Sequence, residues 1–221
     1  MSQNITKDAD DIEERRVGRP PGAVGDETRR RLLDASKTVF AKSGYKEASN
    51  RMIAAAAGIT TGAIYHYYSS KQALFMAVHG ELQERQLSRL EPIVDSCTTL
   101  REALSKTVLS MVESRLEDPF STEFFSVVRL EARRNPDISS ALEDSRWLML
   151  YDRLVALGIR TGEVQPGMEK ALKAVLALFL LGYTQHAAEA SPSGQKAAVQ
   201  GILLLLEGKL MTAPVATTAD A

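Results

Sequence analysis

The chain has 221 residues, of which 44% are hydrophobic and only 6% aromatic, and its 27 Lys and Arg nearly balance its 28 Asp and Glu. This composition suits one or two globular domains with a sizeable core and favours helices over a sandwich or barrel. A single cysteine excludes an intramolecular disulfide framework and a cysteine-rich zinc module. The acidic N-terminal segment does not resemble a secretory signal, so we expect a cytoplasmic protein.

The positive charge is concentrated in residues 15–80, which hold eleven Lys and Arg against four acidic residues. The segments before and after this block are both net negative. A compact basic block is typical of a polyanion-binding module, because neutralised phosphates release counterions and so provide affinity. A solvated helix face would give the same count, so charge alone leaves both interpretations open.

Residues 1–25 are predicted to form a flexible arm, because the prolines and glycines at its end disfavour a helix. A first helix is expected from Asp26, its N-cap, to about Gly44, which is placed to end it. Apolar and small residues follow the spacing of one buried helical stripe in this segment. They are Leu32, Ala35, Ser36, Val39 and Phe40.

Two short helices are predicted next, over 49–57 and 60–67, with only Gly58 and Ile59 between them. Two short helices joined by a tight, glycine-containing turn form a helix-turn-helix when small and apolar residues fall where the helices touch. Ala54 is small enough for a close crossing here, and Gly58 allows a positive φ in the turn.

The rest of the chain is predicted to be helical as well. Ser70 is expected to cap a helix from Lys71 to about Leu90, which Pro92 ends. Further helices are predicted over 98–117, 121–134, 137–161, 167–190 and 193–211, separated by prolines and glycines. No strand pattern competes, so the fold class is all-α. The expected domains are an arm at 1–25, a helix-turn-helix domain at 26–70, a helical effector-binding and dimerisation domain at 71–211 and a disordered tail at 212–221.

The start of the second short helix carries residues suited to contacting DNA. Those expected to face outward are Thr60, Thr61, Gly62, Ala63, Tyr65 and His66. In a helix-turn-helix this part of the second helix enters the major groove. Threonine hydroxyls can bond phosphates or base edges, and Tyr65, His66 and Lys71 can donate to phosphate oxygens. Each is singly better explained as an ordinary surface residue, but together they favour DNA contact.

A family resemblance rests on motifs spread over residues 28 to 78. They are Arg31-Leu32-Leu33-Asp34-Ala35, Phe40, Gly44-Tyr45, Ser49, Ile53-Ala54, Ala57-Gly58-Ile59, Gly62-Ala63-Ile64-Tyr65-His66-Tyr67-Tyr68 and Ser70-Lys71-Gln72-Ala73-Leu74. This run resembles the DNA-binding domain of TetR-type transcriptional regulators. The resemblance implies a three-helix head on an all-helical, dimeric body, working as a repressor that a small molecule releases.

Two positions depart from the family pattern. Thr61 stands where the family commonly has lysine. Ala48 stands where Ser or Thr usually precedes Ser49, and this alanine is expected to weaken the cap of the first short helix by about 1 kcal/mol. The resemblance still assigns a phosphate contact to Ser49 and a base contact to Asn50. In the arm, Arg19 is followed by proline as in family members that place this segment in the minor groove; a flexible linker is the alternative.

The sequence carries no recognisable catalytic motif. The three histidines form neither a Glu-x-x-His nor a His-Glu-x-x-His pattern, and Gly162 to Gly167 lacks the Lys and Ser/Thr of a phosphate loop. We therefore predict no catalytic residue, no metal and no cofactor.

The helical body is expected to bind a small, mostly apolar effector and to dimerise. The predicted effector lining is Met111, Phe125, Trp147, Tyr151, Phe179 and Tyr183, although each is singly better explained as plain core. Arg115, Arg129 and His186 would add polar anchors. The predicted dimer residues are Leu176, Leu180, Leu203, Leu206 and Leu210, because the last two helices are more apolar than one subunit needs.

The sequence thus predicts a DNA-binding transcriptional regulator. It is expected to be a repressor that binds a palindromic operator as a homodimer and is released by a small effector. A helical scaffold or ligand-carrier protein with a non-functional helix-turn-helix is the alternative.

Overall fold

The computed structural model describes residues 21–142, 146–189 and 191–211, and every regular element within these ranges is a helix. The helices are α1 Pro21–Glu47, α2 Asn50–Ala57, α3 Thr61–Tyr67, α4 Lys71–Ser96, α5 Leu100–Glu117, α6 Pro119–Ala132, α7 Pro136–Ala141, α8 Arg146–Arg160, α9 Glu169–Glu189 and α10 Pro192–Leu206. The predicted all-α fold is confirmed. None of the described helices combines the length and the apolar character needed to cross a bilayer.

Helix α1 begins earlier than predicted. It starts at Pro21, so Asp26 lies within the helix and is not its N-cap. Proline is favoured in a first turn, where its missing N–H would have no intrahelical acceptor. Gly44 interrupts the helix as predicted, with φ 75° and ψ 169°, a conformation that glycine adopts without a side-chain clash. Most of the predicted arm, and the tail at 212–221, lie outside the described residues.

The two short helices form where the sequence predicts them. The Ser49 hydroxyl accepts a hydrogen bond from the Met52 N–H at 3.2 Å and caps α2, and Gly58 ends it at φ 65°. The Thr60 hydroxyl accepts from the Ala63 N–H at 3.1 Å and caps α3. The residues that bury this pair against α1 are Ile53, Ala54, Ala57 and Ile64.

Several proline-based boundaries were wrong. Pro119, Pro136 and Pro192 each begin a helix rather than a gap between helices. Pro92 lies inside α4, which continues to Ser96; Pro92 and Ser88, whose carbonyl loses its partner, are both exposed to water. The single helix predicted over 137–161 is two, since α7 ends at Ala141 and α8 starts at Arg146.

Two hydrophobic cores organise the molecule. The first joins α1, α2, α3 and the start of α4 to α6, and it includes the rings of Phe40, Phe75 and Phe124. The second joins the end of α4 to α5, α8 and α9, around Leu90, Leu150 and their neighbours. The first core therefore continues past the predicted boundary after residue 70, which itself stays a prediction.

Helices α5 and α8 approach closely at Gly158. A Cβ at this position would lie 2.5 Å from Val164 Cγ2 and 2.7 Å from Leu100 Cδ2. We expect Gly158→Ala to lower the free energy of unfolding by about 1–3 kcal/mol, because overpacking displaces these side chains. Urea denaturation at fixed protein concentration measures the loss.

Gly80→Ala is the matched control for Gly158→Ala. Gly80 lies in α4 and a Cβ there would meet no atom of the described residues within 4 Å. Replacing a helical glycine by alanine in open space is expected to add up to about 1 kcal/mol of stability. Equal unfolding midpoints for the two variants would contradict the packing seen at Gly158.

Candidate functional site

Helix α3 exposes the side that the sequence assigned to DNA. Thr61, Gly62, Tyr65 and His66 are exposed, with 56% of Tyr65 accessible, and the capping Thr60 is exposed as well. Ala63 is half-buried. Ile64 on the opposite side is fully buried, which fixes the helix to the head and holds the exposed face outward.

The start of α2 borders this face. Ser49 is exposed and its oxygen caps the helix, which leaves the hydroxyl proton free to donate to a phosphate. The Oδ1 atom of half-buried Asn50 is buried and has no hydrogen-bond partner within the described ranges. The cap loss expected at Ala48 does not occur, because Ala48 is buried and Ser49 supplies the cap.

Lys71 has a different role from the predicted phosphate contact. Its ammonium donates to the backbone carbonyls of Tyr45 at 2.8 Å, Ala48 at 3.0 Å and Lys46 at 3.2 Å, and it lies 4.6 Å from the Tyr45 ring centroid. An ammonium has three donors, so none remains for DNA. Lys71 instead ties the start of α4 to the end of α1, and so positions α2.

Other cations lie closer to solvent on this face. Lys46 and Arg51 are exposed on either side of the α2 cap, and sequence reasoning did not single them out although both belong to the basic block. A shallow concavity of about 510 Å³ lies beside them. It is lined by Lys46, Glu47, Ala48, Ser49, Asn50, Tyr65, Ser69, Ser70 and Lys71. The predicted arm residue Arg19 lies outside the described residues.

The body contains a half-open space, here called the inner cavity, of about 310 Å³ between α4, α5, α6, α8 and α9. Residues of the predicted effector lining that border it are Met111, Phe125, Trp147, Tyr151 and Tyr183. Sequence reasoning missed the wall from α4, formed by His79, Gln83 and Gln86. Their i, i+4, i+7 spacing marks one helix face, but polar residues there are more often solvated.

Burial determines the protonation of the titratable side chains that line this cavity. It lowers the pKa of His79 to about 4, so the imidazole is neutral at pH 7. Burial raises the pKa of Tyr151 to about 12, against the opposing charge of Arg129, and it likewise raises the pKa of Tyr183 near Arg115. Both phenols therefore stay protonated and can donate hydrogen bonds to a ligand.

A second space, here called the outer groove, has a volume of about 840 Å³ and lies between α5, α9 and α10. The sixth predicted effector residue, Phe179, lines this groove rather than the inner cavity. Arg115 and Tyr183 line both spaces, which therefore meet at these two side chains.

The apolar faces of α9 and α10 differ in part from the predicted dimer surface. Leu176 is buried in the second core and is unavailable to a partner, which corrects that assignment. The side chain of Leu180 lies outside the described part of the structure. Leu210 is exposed, and Leu203 and Leu206 are half-buried. Val175 and Leu178 are exposed on α9 instead of Leu176.

Comparison with known proteins points to one family. A family model described as bacterial regulatory proteins, tetR family, matches residues 32–78. The HTH-type transcriptional regulator UidR of Escherichia coli K12 is 26% identical over 191 residues, which is 84% of this chain and 94% of UidR. The HTH-type transcriptional repressor Rv1474c of Mycobacterium tuberculosis is 42% identical over 57 residues, 26% of this chain and 30% of that protein.

Solved structures share the fold. The transcriptional regulator FadR from Bacillus subtilis, in complex with stearoyl-CoA, superposes with a TM-score of 0.68 at 22% identity and covers 82% of this chain and 99% of its own. These relatives are transcriptional regulators rather than enzymes.

The capped pair α2 and α3, with the exposed face of α3, has the arrangement of a helix-turn-helix. The match over residues 32–78 is to the tetR family, which confirms the resemblance to TetR-type regulators predicted over residues 28 to 78.

Proposed function

We propose that this protein is a repressor that binds a partly palindromic DNA operator as a homodimer and leaves it when a small, mostly apolar effector occupies the body. The observation that carries the DNA-binding role is the exposed face of α3, where Tyr65 and His66 project from a helix whose opposite side is fixed by Ile64. The exposed Lys46 and Arg51 add positive charge beside it.

The homodimer is supported by the exposed apolar side chains of the last two helices. Exposure is 59% for Val175 and 66% for Leu178 on α9, and 50% for Leu205 on α10. Side chains of this kind on two helices are covered when a second copy forms a four-helix bundle with them. Two reading heads related by a two-fold axis would then contact half-sites one helical turn apart, about 34 Å.

The effector role is supported by the inner cavity and the outer groove. Their volumes, about 310 and 840 Å³, fall within the range of about 300–1,000 Å³ typical of small-molecule sites. FadR, which shares the fold, holds stearoyl-CoA. A ligand that binds one arrangement of the two heads more tightly than another shifts the equilibrium by that difference, about 1–3 kcal/mol in typical regulators.

Selection from random DNA duplexes tests the proposal. The full chain is expected to enrich a palindrome, and its affinity is expected to fall steeply as salt is added. Tyr65→Ala should then weaken binding to the selected duplex about tenfold or more, because a hydrogen bond to a charged group contributes about 1.5–3 kcal/mol. Gel shift or fluorescence anisotropy measures the affinity.

Two variants serve as controls for Tyr65→Ala. Tyr65→Phe keeps the ring and removes only the hydroxyl, so it should lose most of the same affinity if the phenol contacts phosphate. Met168→Ala changes an exposed residue before α9 and should bind like the native chain. If no duplex is enriched at low salt, the helical carrier with a non-functional helix-turn-helix replaces the repressor.

A further inference from the structure

The charge of the body's two connected spaces is one-sided. Their lining includes three cationic side chains, Arg115, Arg129 and Lys196, and none of the described lining residues is Asp or Glu. Burial lowers the pKa of Arg129, yet a guanidinium keeps its proton at neutral pH. A semi-enclosed, positively charged space favours a ligand of negative charge.

Arg115 has a donor available for such a ligand. Its Nε donates to Gln195 Oε1 at 3.3 Å, but its Nη1 is buried and has no hydrogen-bond partner among the described residues. Leaving a buried, charged donor unsatisfied is costly, and such a group favours a ligand of opposite charge. Arg115 stands where the inner cavity and the outer groove meet, with the protonated phenol of Tyr183 beside it.

The two spaces differ in polarity. The inner cavity is lined by polar side chains from three helices, namely Gln83, Gln86, Ser114, Ser121, Thr122 and Arg129. The outer groove is mainly apolar, although Lys196 and His186 also line it, and its apolar wall includes Val112, Leu116, Val199, Ile202 and Leu203. A ligand that fills both therefore has a polar end and an apolar end, with Arg115 at the junction.

We infer that the effector of the proposed regulator is an amphiphilic carboxylic acid, whose carboxylate accepts a hydrogen bond from Arg115 Nη1 on the inner-cavity side and whose apolar chain lies in the outer groove. Carboxylate oxygens match the planar guanidinium donors, and Tyr183 supplies a further donor to the same group. The regulatory role of this ligand rests on the proposed function, but binding of the ligand to the body does not require DNA.

Calorimetry on the full chain without DNA tests the ligand class. Decanoate is expected to bind at least about tenfold more tightly than 1-decanol, which has the same chain without the charge, and decyltrimethylammonium should bind more weakly than either. The only tryptophan in the sequence, Trp147, lines the inner cavity, so its fluorescence is expected to change on decanoate binding. Equal affinities for the acid and the alcohol would overturn the inference.

Variants assign the preference to Arg115. Arg115→Met keeps the aliphatic stem and should bring the acid and the alcohol within about twofold of one another, while Arg115→Lys should retain most of the preference. Arg101→Met, an exposed arginine on the same helix, is the matched control and should behave like the native chain. A preference that survives in folded Arg115→Met, checked by circular dichroism, would refute the anchor; if that variant does not fold, the native acid-to-alcohol ratio still decides.

Decanoyl-CoA separates two sources of negative charge. Its thioester has no carboxylate at the end of the chain, but its nucleotide carries phosphates. Tight binding of decanoyl-CoA together with equal binding of decanoate and 1-decanol would mean that phosphate is recognised, and would overturn a carboxylate site. Acid binding that leaves the affinity for the selected duplex unchanged would uphold the site and overturn only its role in release, so the two failures are distinguishable.

Discussion

Phe75→Ala is expected to lower the free energy of unfolding by about 3–5 kcal/mol, the largest effect of any single substitution considered for this protein. The Phe75 ring is completely buried. Its centroid lies 5.0 Å from that of Phe40, 5.0 Å from that of Phe124 and 4.8 Å from that of Tyr45. Removing it leaves a void at the point where α1, α4 and α6 meet, and close-packed neighbours refill such a void only in part.

Urea denaturation at one fixed protein concentration measures the Phe75→Ala effect, since dimerisation would make stability concentration-dependent. Tyr65→Ala removes an aromatic ring of similar size from the exposed face of α3 and is expected to change stability by less than about 0.5 kcal/mol. The pair also separates stability from DNA contact, because Tyr65→Ala should weaken operator binding in a fully folded protein. A Phe75→Ala variant as stable as Tyr65→Ala would mean that the aromatic cluster is not packed as described.

The helix-turn-helix is predictable from sequence because its signals are local. Ser49 and Thr60 precede their helices as caps, Gly58 marks the turn, and the buried and exposed positions of α3 follow from a 3.6-residue period. The helix boundaries at prolines are not predictable in this way. A proline disfavours the helical position before it yet favours the first helical position, so the same residue marks either a break or a start. Pro119 and Pro192 are starts.

Long-range contacts decide the parts of the candidate site that the sequence leaves open. Lys71 looks like a free cation in sequence, and only the fold brings the carbonyls of Tyr45 and Ala48 to its ammonium. The α4 wall of the inner cavity was missed for a related reason, because polar residues that line a cavity, such as His79 and Gln83, have the sequence pattern of a solvated face. In α9, apolar residues occur nearly all round, so periodicity does not separate buried Leu176 from exposed Val175.

A charged clasp joins the head to the body and leads to the second large effect. Lys37 of α1, whose side chain is only 9% exposed, donates to Asp118 Oδ2 between α5 and α6, and Asp118 is 23% exposed. The Ser121 hydroxyl donates to the same oxygen at 2.8 Å. Asp34 also lies near Lys37, at 3.5 Å, but is 52% exposed. Asp118 is therefore the main counter-charge of a nearly buried lysine.

Asp118→Asn is expected to cost about 3 kcal/mol of stability, the lower end of the range for breaking a buried ion pair, because it leaves the Lys37 ammonium buried beside a neutral amide. Asp34→Asn, which removes the exposed neighbour of the same lysine, should cost less than about 1 kcal/mol. Urea denaturation at pH 7 compares the two. Similar losses for both variants would contradict the assignment of Asp118 as the principal partner.

The pH dependence gives this clasp a second signature. Burial raises the pKa of Asp118, but the hydrogen bonds from Lys37 and Ser121 outweigh burial and hold the pKa below its usual value. Because the folded-state pKa is depressed, the clasp stabilises the fold fully above the unfolded pKa of about 3.9 and is lost as the pH falls through the folded value. The stability gap between the native chain and Asp118→Asn should thus be wide at pH 7 and narrow in acid below about pH 4. A gap that stays constant over this range would show that the ionised carboxylate is not what holds Lys37.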